Sequence, residues 1–261
     1  MVLDGKTVLI SGVGPGLGGA CAAAALRDGA NVIATARNLE RLDAAVARLD
    51  PSGERTVALA ADIMDTDALV TAVAAGVDRF GAIDGVVSVA AYDAVLGTLL
   101  DTDPDTFRQV LDVNVFGTTN LVRAVVPTLR DNGGGSIVLI GSQSALASNP
   151  VPQGPYGPSK AALLAVARDL ATDLGPDKIR VNTVVPTWMW GPNVELYCQW
   201  QAGERGVTPD AIKAEIESGM ALREMPTDGD VAESVVFFLS DRSRLVTGQR
   251  ILVNAGEHFD T

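Results

Sequence analysis

Short runs rich in β-branched residues alternate along this chain with longer stretches of helical period, and no other feature restricts its fold as much. The runs Thr7–Ser11, Asn31–Thr35, Thr56–Ala60, Gly85–Val89, Ser136–Gly141, Arg180–Val184 and Arg250–Val253 read as strands. Between them Leu17–Asp28, Leu39–Leu49, Asp67–Phe80, Pro104–Arg130 and Lys160–Leu174 read as helices. Strand followed by helix, repeated, builds right-handed βαβ units and a parallel sheet with helices on both faces. No Pro/Gly/Ser-rich linker, repeat or low-complexity tract divides the 261 residues. The expectation is a single doubly wound α/β domain over residues 1–261, with a sheet of about seven strands. One stretch breaks the rhythm. Residues 187–220 are too long for a connector inside a compact domain, follow a strand end, and are expected to form a substrate loop.

The first strand runs into Ser11-Gly12-Val13-Gly14-Pro15-Gly16-Leu17-Gly18-Gly19. Gly14, Gly16 and Gly19 satisfy the dinucleotide fingerprint between a strand and a helix, as a Rossmann-type fold requires. Glycine is needed because the turn is tight and the backbone must approach a pyrophosphate, which then rests on the positive end of the helix. An acid after the second strand would accept hydrogen bonds from the ribose 2′-hydroxyl of NAD; this chain reads Ala36-Arg37-Asn38 instead. A guanidinium suits a 2′-phosphate, so NADP is favoured over NAD. The alternative is that Arg37 is a solvated loop residue.

In the second half, Tyr156 and Lys160 stand four residues apart, one turn apart on one helix face. Hydride transfer to a carbonyl needs a proton donor, and the reverse reaction a base. A phenol with an ordinary pKa of about 10 is a poor base, and a neighbouring ammonium is expected to lower that value. Ser142 is the expected second donor to the substrate oxygen, with Ser144 as competitor.

Several motifs together resemble the short-chain dehydrogenase/reductase family: Ser11-Gly12 followed by Gly16 and Gly18, Asp62 after the third strand, Asn114 in Val113-Asn114-Val115-Phe116-Gly117, Ser142, and Tyr156-Gly157-Pro158-Ser159-Lys160. The likeness covers nearly the whole chain. It implies a catalytic set of Ser142, Tyr156, Lys160 and Asn114, with Lys160 also holding the nicotinamide ribose and Asn114 fixing a water in a proton relay. It implies cofactor contacts from Ser11, Gly12, Gly14, Gly16, Leu17, Gly18, Ala90, Tyr156, Lys160, Pro186 and Thr187, with Asp62 and Ile63 bordering the adenine. A homotetramer is also implied, pairing through the helices that carry Asn114 and Tyr156 and through Arg250–Val253. Three departures stand out. The Ser-to-Tyr spacing is one residue longer than usual, Ser88-Val89-Ala90-Ala91 replaces N-N-A-G, and Pro186-Thr187 replaces Pro-Gly.

All three tryptophans, Trp188, Trp190 and Trp200, fall in the 187–220 stretch with Tyr197. With Tyr92 and Ser144 they are the expected substrate contacts, and aromatic lining with few charges suits a bulky apolar carbonyl or alcohol. Packing of the loop onto the domain is the alternative use of these rings.

Composition removes other classes. A net charge of −12 argues against nucleic acid as a partner, since its phosphates call for a clustered basic face. Two cysteines are too few for a disulfide framework, and with a single histidine near the C-terminus neither a Ser-His-Asp triad nor a metal site is expected. No apolar run is long enough to span a membrane, and the start lacks the basic and apolar segments of a secretory signal, so the expected location is cytoplasmic. The leading expectation is an NAD(P)-dependent oxidoreductase. A cofactor-binding sensor without turnover and an isomerase or epimerase using the nicotinamide transiently are the rivals.

Overall fold

The computed structural model describes residues 1–148 and 151–259. A seven-stranded, all-parallel sheet has the order β3-β2-β1-β4-β5-β6-β7. Its strands are β1 (Thr7–Ser11), β2 (Asn31–Ala36), β3 (Thr56–Ala60), β4 (Gly85–Ser88), β5 (Gly135–Ile140), β6 (Ile179–Pro186) and β7 (Arg250–Val253). The helices are α1 (Leu17–Arg27), α2 (Leu39–Leu49), α3 (Thr66–Phe80), α4 (Pro104–Leu111), α5 (Thr118–Asp131), α6 (Tyr156–Leu174), α7 (Pro192–Arg205), α8 (Pro209–Ser218) and α9 (Asp228–Leu239). The order reverses between β1 and β4, and a crevice opens there beyond the carboxyl ends of the strands.

Both faces of the sheet are apolar because both are covered. On one face, Ile10 and Val138 pack against Cys21 and Ala25 of α1, Leu42 of α2 and Val235 of α9. On the other, Leu9 and Ile137 pack against Leu69 of α3, Leu121 and Val125 of α5 and Leu163 of α6. The small residues of α1 let it lie close to the sheet and to α9.

Two segments differ from the expectation. The stretch read as one helix over Pro104–Arg130 is three pieces: α4, a π-helical turn Asp112–Gly117, and α5. The cause is at Asn114 and Thr118. The Asn114 side chain is drawn to the backbone of Tyr92, and the Thr118 hydroxyl donates to the Asn114 carbonyl, 2.9 Å away. Such turns recur at functional sites. Residues 187–220 are not an irregular loop but a helical hairpin, α7 and α8, reversed at Gly206 (φ +65°). Cys198, Ala202 and Ile212 form its own small core. Among the described residues no helix is long and apolar enough to cross a membrane, and no cluster of three His, Cys, Asp or Glu side chains could hold a metal.

Candidate active site

The carboxyl ends of β1, β4, β5 and β6 open into one cavity of about 680 Å³, inside the range of small-molecule sites. Its floor at one end is the glycine turn. Gly12 takes φ +90°, and a Cβ there would lie 2.6 Å from the backbone nitrogen of Ala90. Gly18 lies so close to the Gly12 carbonyl that a Cβ would stand 2.1 Å from its oxygen. Those two glycines are required by the protein itself. Gly14 is different: it lines the cavity, and a Cβ there would meet nothing within 4 Å. Its bare backbone faces open space at the start of α1, whose N-cap Gly16 offers no side chain to the first-turn N–H groups. That cradle of unclaimed donors fits a pyrophosphate.

At the other end stand Ser142, at the tip of β5, and Tyr156 and Lys160, on the first turns of α6. Both side chains line the cavity, and Ser142 lies near enough to the Tyr156 hydroxyl to bear on its ionisation. Ser142 Oγ also accepts from the Ser144 N–H at 3.2 Å, so Ser144 supports Ser142 while itself lining the cavity. With the extra residue between them, Ser142 and Tyr156 still line one cavity; residues 149 and 150 of that segment lie outside the described residues. Lys160 is only 3% exposed, its Nζ donates to the Ile140 carbonyl at 2.8 Å, and it lies 5.7 Å from the centroid of the Tyr156 ring.

The electrostatics run against the sequence expectation for Tyr156. Burial pushes its phenol up to about 12, Asp93 adds to this, and the Ser142 hydrogen bond opposes it. The same burial pushes Lys160 down to about 8, partly resisted by Asp93. Taking both groups out of water disfavours the charged form of each, and this exceeds the expected help from the ammonium.

Asn114 is buried beside this group. Its Oδ1 accepts from the Tyr92 N–H at 2.7 Å, and its Nδ2 donates to the Tyr92 carbonyl at 3.1 Å and Ser159 Oγ at 2.9 Å. Both amide protons are directed to protein groups, so the side chain braces the segment after β4 against α6.

The remaining expected residues divide. Leu17, Pro186 and Thr187 line the cavity. Ser11 and Ala90 shape it from behind: the Ser11 carbonyl accepts from both the Val89 and Ala90 N–H groups at 3.0 Å. Those backbone bonds close the end of β4 in Ser88-Val89-Ala90-Ala91. Arg37, Asp62 and Ile63 lie outside the cavity, just beyond the ends of β2 and β3. Arg37 is exposed with no side-chain partner among the described residues, whereas Ile63 is buried against Gly117. Of the aromatics, Trp188 and Tyr197 line the cavity with ring centroids 5.2 Å apart. Trp200 stacks on the far side of Tyr197 and is 57% exposed, and Trp190 sits under Lys213 Nζ at 4.4 Å, away from the cavity. Tyr92 reaches the site through its backbone only, while its neighbour Asp93 lines the wall. Sequence reasoning missed Asp93, Gln143, Asp228 and Glu257, all cavity-lining, because none belongs to a motif and three come from distant elements.

A glycine-cradled cleft at the switch point of a parallel sheet, ending on a Ser-Tyr-Lys cluster, defines a dinucleotide-binding oxidoreductase class. A family model described as Enoyl-(Acyl carrier protein) reductase matches residues 12–258. Dehydrogenase/reductase SDR family member 4 of Mus musculus is 30% identical over 254 residues, 97% of this chain and 88% of the relative. An uncharacterised oxidoreductase of Mycobacterium tuberculosis is 34% identical over 274 residues, 97% of this chain and 96% of the relative. Among solved structures, carveol dehydrogenase from Mycobacterium avium in complex with NAD aligns with a TM-score of 0.89 at 29% identity, over 98% of each chain. NAD+-bound xylitol dehydrogenase aligns at 0.88 and 27% identity, over 97% of this chain and 99% of that one. This chain belongs to the short-chain dehydrogenase/reductase family.

Proposed function

We propose that the protein is an NAD(P)(H)-dependent oxidoreductase that interconverts a ketone and a secondary alcohol on a bulky apolar substrate. The observation that carries this reading is that Ser142, Tyr156 and Lys160 line the same cavity as the bare Gly14 backbone. The nicotinamide cofactor supplies or removes the hydride when bound. Every other task falls to the chain. With its phenol held up near 12, Tyr156 is a proton donor at neutral pH and delivers its Oη proton to the developing alkoxide. Ser142 shares that oxygen: its Oγ already accepts from the Ser144 N–H, which leaves its own proton free to donate. Lys160, fixed on the Ile140 carbonyl, supports reprotonation of Tyr156 and the ribose end of the cofactor. Asn114 holds the Asp93 wall in place through Tyr92.

Arg37 supports NADP(H) as the preferred cofactor. It stands just past the end of β2, and no carboxylate among the described residues pairs with it. The two structural relatives above carry NAD, which makes cofactor choice a direct test of Arg37. Trp188 and Tyr197 support an apolar substrate. A homotetramer is proposed as well: Phe116 is 59% exposed on the segment between α4 and α5, and β7 is an edge strand. Light scattering at micromolar concentration should read four chains, and a monomer would remove that part of the reading.

The deciding assay incubates the protein with a panel of cyclic and aryl ketones while following absorbance of the reduced nicotinamide. Turnover of at least one bulky ketone is expected. Cofactor binding without turnover across the panel would favour the sensor reading instead.

A further inference from the structure

After β7 the chain turns back on itself at Asn254–His258 and reaches the cavity from a side that no family motif marks. The turn is firmly held. Asn254 is buried; its Nδ2 donates to Gln143 Oε1 and to the His258 carbonyl, both at 2.8 Å, and its Oδ1 accepts from the Gly256 N–H at 3.1 Å. Ala255 takes φ +52°, a conformation that a side chain other than glycine rarely adopts. Its carbonyl accepts from the Leu222 N–H at 3.0 Å, just past α8. One short turn thus touches the residue next to Ser142 and the chain leaving the α7–α8 hairpin. It also touches the first residue beyond β6, because the Thr187 hydroxyl donates to Glu257 Oε2.

That last bond sets the polarity of the cavity wall. Thr187 has one hydroxyl proton, and Glu257 takes it. What these two side chains have left is the lone pairs of Thr187 Oγ1 and the carboxylate of Glu257, and both residues line the cavity. A carboxylate, and a hydroxyl whose one proton is engaged in a hydrogen bond, offer only acceptors to a further partner. The wall lies at the end of β6, beside the end of β5 that carries Ser142. A nicotinamide bound for reaction at Tyr156 would be held along this wall. We propose that Glu257 is a positioning residue that makes the Thr187 edge acceptor-only, so that the site selects a hydrogen-bond donor there: the amide NH2 of the nicotinamide carboxamide, and not a carboxylate in its place.

This inference rests on the dinucleotide reading of the cavity, and its test separates the two. Titration calorimetry on the full chain would compare NAD(P) with its nicotinic-acid analogue, in which a carboxylate replaces the carboxamide. The unmodified protein is expected to bind the amide form at least tenfold more tightly. Glu257→Gln should shrink that ratio to about threefold or less, because glutamine carries no charge and brings donors of its own. Thr187→Ser should keep the ratio, since the hydroxyl survives. Tm measured on each variant guards against a merely structural loss, which would weaken both ligands alike and leave the ratio unmoved. A ratio near one in the unmodified protein, or one unchanged by Glu257→Gln, would overturn the role of Glu257 while leaving the cofactor site standing. No binding of either form would remove the dinucleotide reading and this inference with it.

Discussion

The two walls of the cavity are built on different physical terms. The wall formed by β5, α6 and the π-helical turn places its polar groups against named partners: Lys160 on the Ile140 carbonyl, Asn114 on Tyr92 and Ser159, Ser142 on the Ser144 N–H. It is anchored in the sheet's main core. The α7–α8 wall has only the small core of Cys198, Ala202 and Ile212, and leaves Leu196 and Trp200 more than half exposed. Atoms that perform chemistry must be held to a fraction of an ångström, whereas a wall that receives an apolar body needs only shape and the exclusion of water. Substitutions on the first wall should therefore change rates, and those on the second should change which substrates bind.

The largest expected effect lies on the rigid wall. Tyr156→Phe should lower kcat by roughly three orders of magnitude or more, because it removes the donated proton and keeps the ring. Cofactor Kd, read by calorimetry, should stay within a few-fold. Activity within about tenfold of the unmodified protein would transfer the donor role elsewhere.

The second effect tests a residue outside both walls. Arg37→Ala should erase most of a preference for NADPH over NADH; a charge-assisted contact to phosphate corresponds to roughly 1.5–3 kcal/mol, or about ten- to a hundred-fold. Steady-state kcat/KM with each cofactor gives the ratio. An unmodified protein that uses both cofactors equally would leave Arg37 a solvated residue.

The difference between the walls also explains what could be read from the residues in order. The sheet, the glycine turn and the Tyr156–Lys160 pair were legible because each is local: a period, a turn chemistry, an i,i+4 spacing. Ser142 was legible by resemblance despite its altered spacing, and it lines the cavity with Tyr156. The π-helical turn was not, because its cause is a bond from Asn114 to Tyr92, which no helical pattern records. Nor was the α7–α8 hairpin, whose helices have a shallow apolar stripe and bury a core of three residues. Asp93 and Glu257 belong to no motif, and the fold alone brings them to the cavity. The sign of the Tyr156 displacement was missed for a related reason. Spacing shows that a cation is near but not how dry the site is, and burial prevails.

On the softer wall the effects should be smaller and depend on the substrate. Tyr197→Ala or Trp188→Ala should raise KM for bulky ketones by about tenfold, and for acetone-sized ones by less than about threefold, since both rings line the cavity and truncating either removes apolar contact. Trp200→Ala should change KM by less than about twofold, because that ring points outward. Trp190→Ala should instead lower Tm, having lost the stack under Lys213 and the packing of the hairpin core. A large KM effect from Trp200 would mean that the hairpin rotates over the substrate rather than standing as a fixed wall.

The smallest expected effect is a stability change in the rigid wall, and its sign follows from the buried lysine. Lys160 is held down from its ordinary value of 10.5 to about 8. Between those values the unfolded chain binds a proton that the folded chain has released, so the contribution of this group to stability rises with pH across the window and is least favourable below about 8. Tyr156, raised from 10.0 to about 12, acts in the opposite sense above that window: the folded chain keeps a proton that the unfolded one has lost, and stability falls as pH climbs from 10 to 12. Lys160→Met should therefore raise Tm at pH 7, although it abolishes activity. A displacement of this size corresponds to at most roughly 3 kcal/mol, and loss of the hydrogen bond to Ile140 offsets about 1 kcal/mol of that. For a chain of this length the remainder amounts to a rise of roughly 4 °C. The gain should shrink toward zero by pH 10, as the lysine of the unmodified unfolded chain begins to lose its own proton. Differential scanning calorimetry from pH 6 to 10 on both proteins reads this directly. A Tm lowered equally at every pH would mean that the bond to Ile140 outweighs the cost of burying the ammonium, and that the catalytic wall gains stability from Lys160 instead of giving it up.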